Sequence, residues 1–248
     1  MQKSDKHFLE KIRSKVAYAI DDYQLINNND KILVGISGGK DSMALLDILH
    51  NRRKSLKINY EIKAVHIQLT DVPYHTNSDY LKNFCQERDI DFQLIKDDKK
   101  IIAENKQPCF YCAWNRRKLL FQYAVENGFQ KVAFGHHRDD VVETLLMNMI
   151  YHGEMSSFPV KIKMFDGQIE IIRPLIYTTN KELKRYTDLI DYQALPYDCP
   201  YAEFNHREKF KTLLKQLHQI NPNASKNIFK AMLNIDLRHL PLKKGSLK

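Results

Sequence analysis

The stretch ILVGISGGKDSMALLDIL, residues 32–49, constrains the fold more than any other part of the chain. Its apolar run, Ile32-Leu33-Val34, reads as a strand buried on both faces, as in a parallel sheet. The run ends in Ser37-Gly38-Gly39-Lys40-Asp41-Ser42, and a helix pattern starts at once. A strand that passes to a helix through such a turn is the opening of a βαβ unit. Glycines let the backbone approach a ligand closely, and the helix N-terminus offers open N–H groups and the positive end of its dipole. Ser37 and Ser42 add hydroxyls and Lys40 adds a charge, so the guest this turn suits is an anion, above all a phosphate chain. It is not a Walker A loop: Gly35 to Gly39 is one residue short, and Asp41 separates Lys40 from Ser42. G-x-G-x-x-G does not fit either.

The same alternation continues along the chain. Helices are expected over 6–24, 41–53, 78–88, 112–127 and 139–151, with strands at 31–36, 61–67, 92–96 and 131–134. VKIKMF-DG-QIEIIRPL then reads as a hairpin around Asp166-Gly167, followed by helices over 180–190, 204–219 and 223–234 and a basic tail. This order predicts an α/β fold, a parallel five-stranded, Rossmann-like sheet flanked by helices, with a helical C-terminal portion. The expected division is an α/β nucleotide-binding domain with its N-terminal helix over 1–175, and a mainly helical extension over 176–248 packed on the same domain.

Composition narrows the function classes. With 248 residues and 43% apolar content the chain can build a sizeable core. No apolar run approaches the ~20 residues of a membrane span. The first residues, MQKSDKHFLEKIRSK, scatter charge where a secretory signal would be apolar, so a cytoplasmic location is expected. A net charge of +9 favours a polyanionic partner. Four cysteines in such a chain point to metal, cluster or redox use rather than to a disulfide scaffold.

Two further segments carry chemistry. VAFGHHRDDVVET, residues 132–144, is a second strand-to-helix turn, freed by Gly135. Asp139 and Asp140 suit the first turn of any helix, but that leaves His136 and His137 unexplained. PCFYCAWNRRK, residues 108–118, places Cys109 and Cys112 as a C-x-x-C just before an expected helix, where thiols are reactive or good ligands. Cys199, in LPYDCPYAEFNHR, is a third candidate, whereas Cys85 lies in an amphipathic pattern and reads as core. Three thiolates without an obvious fourth suit a [4Fe–4S] cluster with one open iron. A structural zinc site normally takes four protein ligands, which a histidine would have to complete.

SGGKDS after a first strand resembles the PP-loop of the N-type ATP pyrophosphatase superfamily, whose members grip the pyrophosphate end of ATP and transfer AMP to a carbonyl-type oxygen. SGGKDS, the C-x-x-C, GHHRDD, IIRPL at 171–175 and the late cysteine together resemble, in that order, the TtcA family of tRNA cytidine 2-sulfurtransferases, over residues 12–240. The resemblance implies an adenine nucleotide α-hydrolase-like fold. It implies ATP with Mg²⁺ on Ser37, Gly38, Gly39, Lys40, Asp41, Ser42, Gly135, His136, His137 and Asp140, with Asp41, Lys40, Asp139, Cys109 and Cys112 as catalytic residues. Cys109, Cys112 and Cys199 would hold a [4Fe–4S] cluster. The substrate would be a tRNA, its cytidine expected at position 32, and the sulfur donor a cysteine desulfurase system; a homodimer is compatible with all of this. Arg116, Arg117 and Lys118 are placed to meet the RNA backbone. The second strand and its exit, AVHIQLTDVPYH, depart from the family's pattern and leave Gln68 and Asp71 without a role. A non-thiolating ATP pyrophosphatase such as an amide-forming ligase, or a redox-sensing nucleotide-binding protein, are the competing readings.

Overall fold

Successive side chains of the central strands point to opposite faces of a sheet, and in this chain both sets are apolar. The computed structural model describes residues 2–55, 58–72, 76–98, 108–194 and 207–241. Its elements run α1 (Lys3–Asp22), β1 (Lys31–Gly35), α2 (Lys40–Ser55), β2 (Glu61–Leu69), α3 (Ser78–Gln86), β3 (Asp91–Asp97) and α4 (Pro108–Glu126). They continue as β4 (Lys131–Ala133), α5 (Arg138–His152), β5 (Lys161–Met164), β6 (Ile169–Ile172), α6 (Asn180–Asp188), α7 (Arg207–Ile220) and α8 (Ala224–Leu233).

The sheet order is β3-β2-β1-β4-β6-β5. β1 lies at its centre, with Val34 opposite Ala64 of β2 on one side and Ala133 of β4 on the other, both in parallel. The five parallel strands are as expected, but the strand count is corrected to six: β5 joins antiparallel at the edge, with Ile162 opposite Ile171. Only a tight turn separates β5 from β6, so the two pair as a hairpin. Lys161 and Lys163 on the outer strand keep that edge polar. A second correction concerns α4, which starts at Pro108 rather than near 112. Proline lacks the N–H that a first helical position leaves open, so it begins the helix here. Cys109 and Cys112 thus lie inside the helix, not before it.

Two compact units divide the chain, one formed by residues 1–137 and 159–206, the other by 138–158 and 207–248. The first holds the sheet. On one sheet face Ile32, Val34, Ile62 and Ala64 pack with Ile12 and Val16 of α1, Leu45 and Leu49 of α2, Leu81 and Phe84 of α3 and Leu183 of α6. On the other face Leu33, Val65, Ile67 and Val132 pack with Leu120 and Ala124 of α4. Cys85 belongs to the first cluster at 0% exposure, and burial pushes its thiol up to about 12, as suits a core residue. In the second unit α5, α7 and α8 pack on one another, with the Tyr151 and Phe210 rings meeting edge-on at 5.8 Å. No helix among the described residues is long and apolar enough to cross a membrane.

One buried carboxylate ties the helices of the first face together. Asp47 of α2, 4% exposed, accepts from Tyr186 Oη of α6 at 2.6 Å and from Arg88 Nε after α3 at 2.9 Å. Arg13 Nη2 of α1 stands 3.6 Å away. Burial, then the charge of Asp47, raises the Tyr186 hydroxyl above its ordinary value, so it stays protonated and donates. Removing that hydroxyl takes a charge-assisted bond from Asp47 Oδ2, which keeps Asn51 Nδ2 at 3.1 Å, and leaves Arg13 Nε without its acceptor on Tyr186. Tyr186→Phe is therefore expected to lower unfolding stability by about 1–3 kcal/mol. Urea unfolding would read this as a lower midpoint at unchanged slope; an unchanged midpoint would show that the hydroxyl contributes nothing.

Candidate functional site

The chain runs β1, β2, β3 outward in one direction from the centre and then β4, β6 in the other. β1 and β4 therefore flank the point where strand order reverses, the place where α/β sheets bind ligands at their carboxyl ends. Both glycine-containing turns leave from this point: Ser37–Ser42 follows β1, and Gly135-His136-His137 follows β4.

The first turn is folded by its own side chains. Gly38 takes φ of +82°, a conformation glycine adopts without strain. Ser37 Oγ accepts from Gly39 N at 3.2 Å, and Ser42 Oγ accepts from Ser37 N at 3.2 Å while donating to the Gly39 carbonyl at 2.9 Å. These bonds curl the backbone over the first turn of α2, whose N–H groups open toward it. Lys40 Nζ meets Asp41 Oδ1 at 2.5 Å, and His137 Nε2 stands 3.9 Å from the same oxygen. His137 is buried, at 4% exposure.

Gly135 is required for a different reason, which is space. A Cβ there would lie 2.8 Å from the Asp41 carbonyl carbon, 2.9 Å from its oxygen and 2.9 Å from Ser42 N. The second turn thus rests directly on the backbone of the first. His136 is half-buried, with its ring 5.7 Å from that of Phe134. The structure brings together Ser37, Gly38, Gly39, Lys40, Asp41, Ser42, Gly135 and His137 from the sequence-based set. Asp139 and Asp140 lie in the first turn of α5, in the second unit, where Asp139 is 8% exposed and Thr144 Oγ1 donates to the Asp140 carbonyl at 2.8 Å.

Cys109 and Cys112 are half-buried and one turn apart at the start of α4, so they share a helix face. That helix is pinned to the carboxyl edge of the sheet: Asn115 Nδ2, from a 4% exposed residue, donates to Asp97 Oδ2 at the end of β3 at 2.7 Å. Thr70, just past β2, donates N–H and hydroxyl to the Asp97 carbonyl at 3.0 and 3.2 Å. Cys199 lies outside the described residues, and among those residues no three His, Cys, Asp or Glu side chains form a metal-holding group. The pair at 109 and 112 suits two thiolates of a cluster, while Cys85 is sealed in the core.

Four site residues escaped the sequence reading. His66, 2% exposed in β2, bonds Ile36 O through Nδ1 at 2.7 Å, which fixes Nδ1 as the protonated nitrogen. Burial holds its pKa below the ordinary value; the bond to Ile36 opposes this and the charge of Arg116 adds to it. Tyr192 Oη donates to Gly38 O at 2.8 Å and Thr76 Oγ1 to Ser37 O at 3.4 Å, so both loop carbonyls are turned to side chains. Arg173, 8% exposed just beyond β6, donates to Pro159 O through Nη1 at 2.5 Å. Burial, then the charge of Arg117, lowers its pKa to about 10. His66 is one histidine inside AVHIQL, and Arg173 lies inside the IIRPL run that carries the resemblance, where the resemblance implies no role for it.

Comparisons with known proteins give the family and the fold. A family model described as a PP-loop domain matches residues 8–193. A tRNA-cytidine(32) 2-sulfurtransferase of Hahella chejuensis is 37% identical over 237 residues, covering 92% of this chain and 82% of the relative. The protein of the same name in Polynucleobacter necessarius is 36% identical, over 93% of this chain and 78% of that one. Among solved structures, the U34-tRNA thiolase NcsA from Methanococcus maripaludis with its [4Fe–4S] cluster superimposes with a TM-score of 0.74 at 23% identity, over 95% of this chain and 80% of that chain, a likeness of fold.

The two glycine contacts make a discriminating pair. A Cβ on Gly135 meets backbone, whereas one on Gly35 meets Leu120 Cδ2 at 2.8 Å, the end of a side chain that can move. Gly135→Ala should reduce ATP-dependent pyrophosphate release on the order of 100-fold, because small displacements of reacting groups are that damaging. Gly35→Ala should reduce it far less. Equal rates for the two folded variants would remove the close contact from the site.

Proposed function

Since this chain belongs to the PP-loop domain family, and within it to the tRNA-cytidine(32) 2-sulfurtransferases, it is a tRNA-thiolating enzyme, and we propose that it replaces the C2 oxygen of a tRNA cytidine, at position 32, with sulfur. The observation that carries the residue-level reading is the meeting of the two turns at the β1/β4 switch point, with Gly135 against the backbone of Asp41. It is supported by the cysteine pair opening α4, which Asn115 holds to the same edge of the sheet.

In this reading the β- and γ-phosphates of ATP lie on the curled Ser37–Ser42 backbone and the N-terminus of α2, where Lys40 neutralises charge. Asp41 holds Mg²⁺ on the nucleotide. His136 and His137 face the nucleotide or the base. The target cytidine leaves its stack to reach the site. Its C2 oxygen attacks the α-phosphorus, the bond to the β-phosphate oxygen breaks, and pyrophosphate leaves. Sulfur at the sulfide level, as HS⁻, then bonds to C2, its proton is lost, and AMP departs with the original oxygen, so no change of oxidation state is needed. Arg173 adds a buried cation at the carboxyl end of β6, suited to the developing phosphate charge.

Cys109, Cys112 and Cys199 are the residues that would hold a [4Fe–4S] cluster, which when bound supplies an open iron position for sulfur. The chain's own part is to keep two thiolates on one helix face and to fix that helix through the Asp97–Asn115 bond. The net charge of +9 suits a tRNA substrate, a cysteine desulfurase system provides the sulfur, and the setting is the cytoplasm.

Three sets of variants test the assignments. Lys40→Ala and Asp41→Ala should abolish pyrophosphate release in folded protein, checked by circular dichroism beside the assay. Cys109→Ala, Cys112→Ala and Cys199→Ala should each lose iron and thiolation after anaerobic purification, while Cys85→Ala keeps both. A colourless wild type with stoichiometric zinc would remove the cluster, and normal pyrophosphate release by the Lys40 and Asp41 variants would remove the nucleotide site.

A further inference from the structure

Away from the two turns, α4 and the β5–β6 hairpin enclose a cleft of about 590 Å³. Trp114, Arg117, Lys118 and Phe121 reach it from one face of α4, at i, i+3, i+4 and i+7, and Phe165 closes it from the hairpin turn. Its composition is unusual for a surface. Trp114 is 45% exposed and Phe165 50% exposed, rings that a soluble fold normally hides. Lys118 Nζ lies 5.2 Å from the centre of the Trp114 ring. Arg116, the third member of the basic run, differs: it is half-buried and its charge acts on His66, so only Arg117 and Lys118 serve this cleft.

The hairpin turn adds a second, independent observation. Phe165, Asp166 and Gly167 take φ of +53°, +53° and +86°, and Gly167 N donates to Met164 O at 3.2 Å, a left-handed turn within the connection from Met164 to Ile169. Asparagine or glycine is favoured at the first central position of such a turn, and a bulky aromatic there is an outlier. The strained residue is the one that sets a ring over the cleft, 5.9 Å from Phe121 and edge-on to it. Strain kept at one exposed residue points to a task for its side chain.

We propose that this cleft is an RNA subsite, taking an unpaired nucleotide of the tRNA other than the one being thiolated. The base stacks on Trp114 and Phe165, and its phosphates meet Arg117 and Lys118. Single-stranded RNA is recognised in this way, by aromatic faces interleaved with cations. Trp114 follows Cys112 by two residues and so points to a different face of α4, and Phe165 stands on the turn before β6, so the cleft takes a nucleotide that lies beyond the two glycine turns. The subsite rests on the tRNA-thiolation reading above.

Trp114 is the chain's only tryptophan, so the full-length protein reports on its own cleft. Intrinsic emission and the binding of labelled tRNA would be followed in one titration, at several salt concentrations, beside ATP binding. Emission should be quenched with the same midpoint as tRNA binding. Trp114→Leu and Phe165→Asn should each weaken tRNA by about 5- to 150-fold, the range for one stacked base, with an unchanged salt slope. Lys118→Ala should reduce the slope. ATP affinity should be unchanged in all three. Phe165→Asn should also unfold no more easily than wild type, since asparagine suits the turn, which separates a role in binding from one in folding. Tight tRNA binding with unaltered emission, or with full affinity in Trp114→Leu and Phe165→Asn, would overturn the subsite and leave the thiolation reading standing. Quenching by a protein sulfur carrier but not by RNA would likewise overturn it. Absence of any tRNA binding by the wild type would overturn both.

Discussion

The site depends on the parallel pairing of β1 with β4. Because Val34 lies opposite Ala133, two chain exits far apart in sequence leave the sheet side by side. The pairing brings the turns so close that a methyl group on Gly135 would overlap the backbone of Asp41. Ser37 and Ser42 can curl one turn by local bonds, but the second turn sets where that curl stops. A phosphate cradle made only of its own loop would be free to relax. Here it is wedged between the start of α2 below, the β4 exit beside it, and the Tyr192 hydroxyl on the Gly38 carbonyl.

The fold was legible in the sequence where one period dominated. Ile32-Leu33-Val34 is buried on both faces, as a continuous apolar run implies, and the helix and strand order followed from the alternation. The sixth strand was less legible because it lies at an exposed edge: Lys161 and Lys163 break its apolar signal, and only the turn at Asp166-Gly167 marks it. The start of α4 was misjudged because the periodic signal begins after Cys112, while proline opens a helix that periodicity cannot see. At the site, residues with distinctive chemistry in a run were visible: Ser37 to Ser42, the His136-His137 pair, the C-x-x-C. Residues that act through one contact made across the fold were not. Tyr192 reaches Gly38 over a separation of 154 residues, and no local pattern announces such a bond.

Helix α4 shows how one element serves two surfaces. Its first turns carry Cys109 and Cys112, its inward residue Asn115 anchors it to Asp97, and its outward stripe from Trp114 to Phe121 borders the cleft. The anchor matters because helix ends fray, and a ligand pair in a first turn is only as well placed as that turn. A buried side-chain bond at 2.7 Å a few residues in fixes both the axial position and the rotation of the helix. The same rotation that turns the cysteines to one side turns the aromatic and basic stripe to the cleft.

Burial also sorts the site's charges: it lowers the pKa of two groups that are almost equally hidden, with opposite outcomes. Arg173 is 8% exposed and its pKa falls to about 10, which still leaves it protonated at neutral pH. Its charge is retained and, being desolvated, acts more strongly on its surroundings than it would in water. His66 is 2% exposed, and the same desolvation moves a pKa that starts near 6.5 further down. It is therefore neutral, with its Nδ1 proton committed to the Ile36 carbonyl that leads into the phosphate turn. A cation at His66 would add a charge that varies between pH 6 and 7. Instead the buried cation at this edge is Arg173, whose charge is kept through that range. The histidine supplies hydrogen-bond geometry and the arginine supplies charge, and the division follows from where their ordinary pKa values lie before burial acts on them.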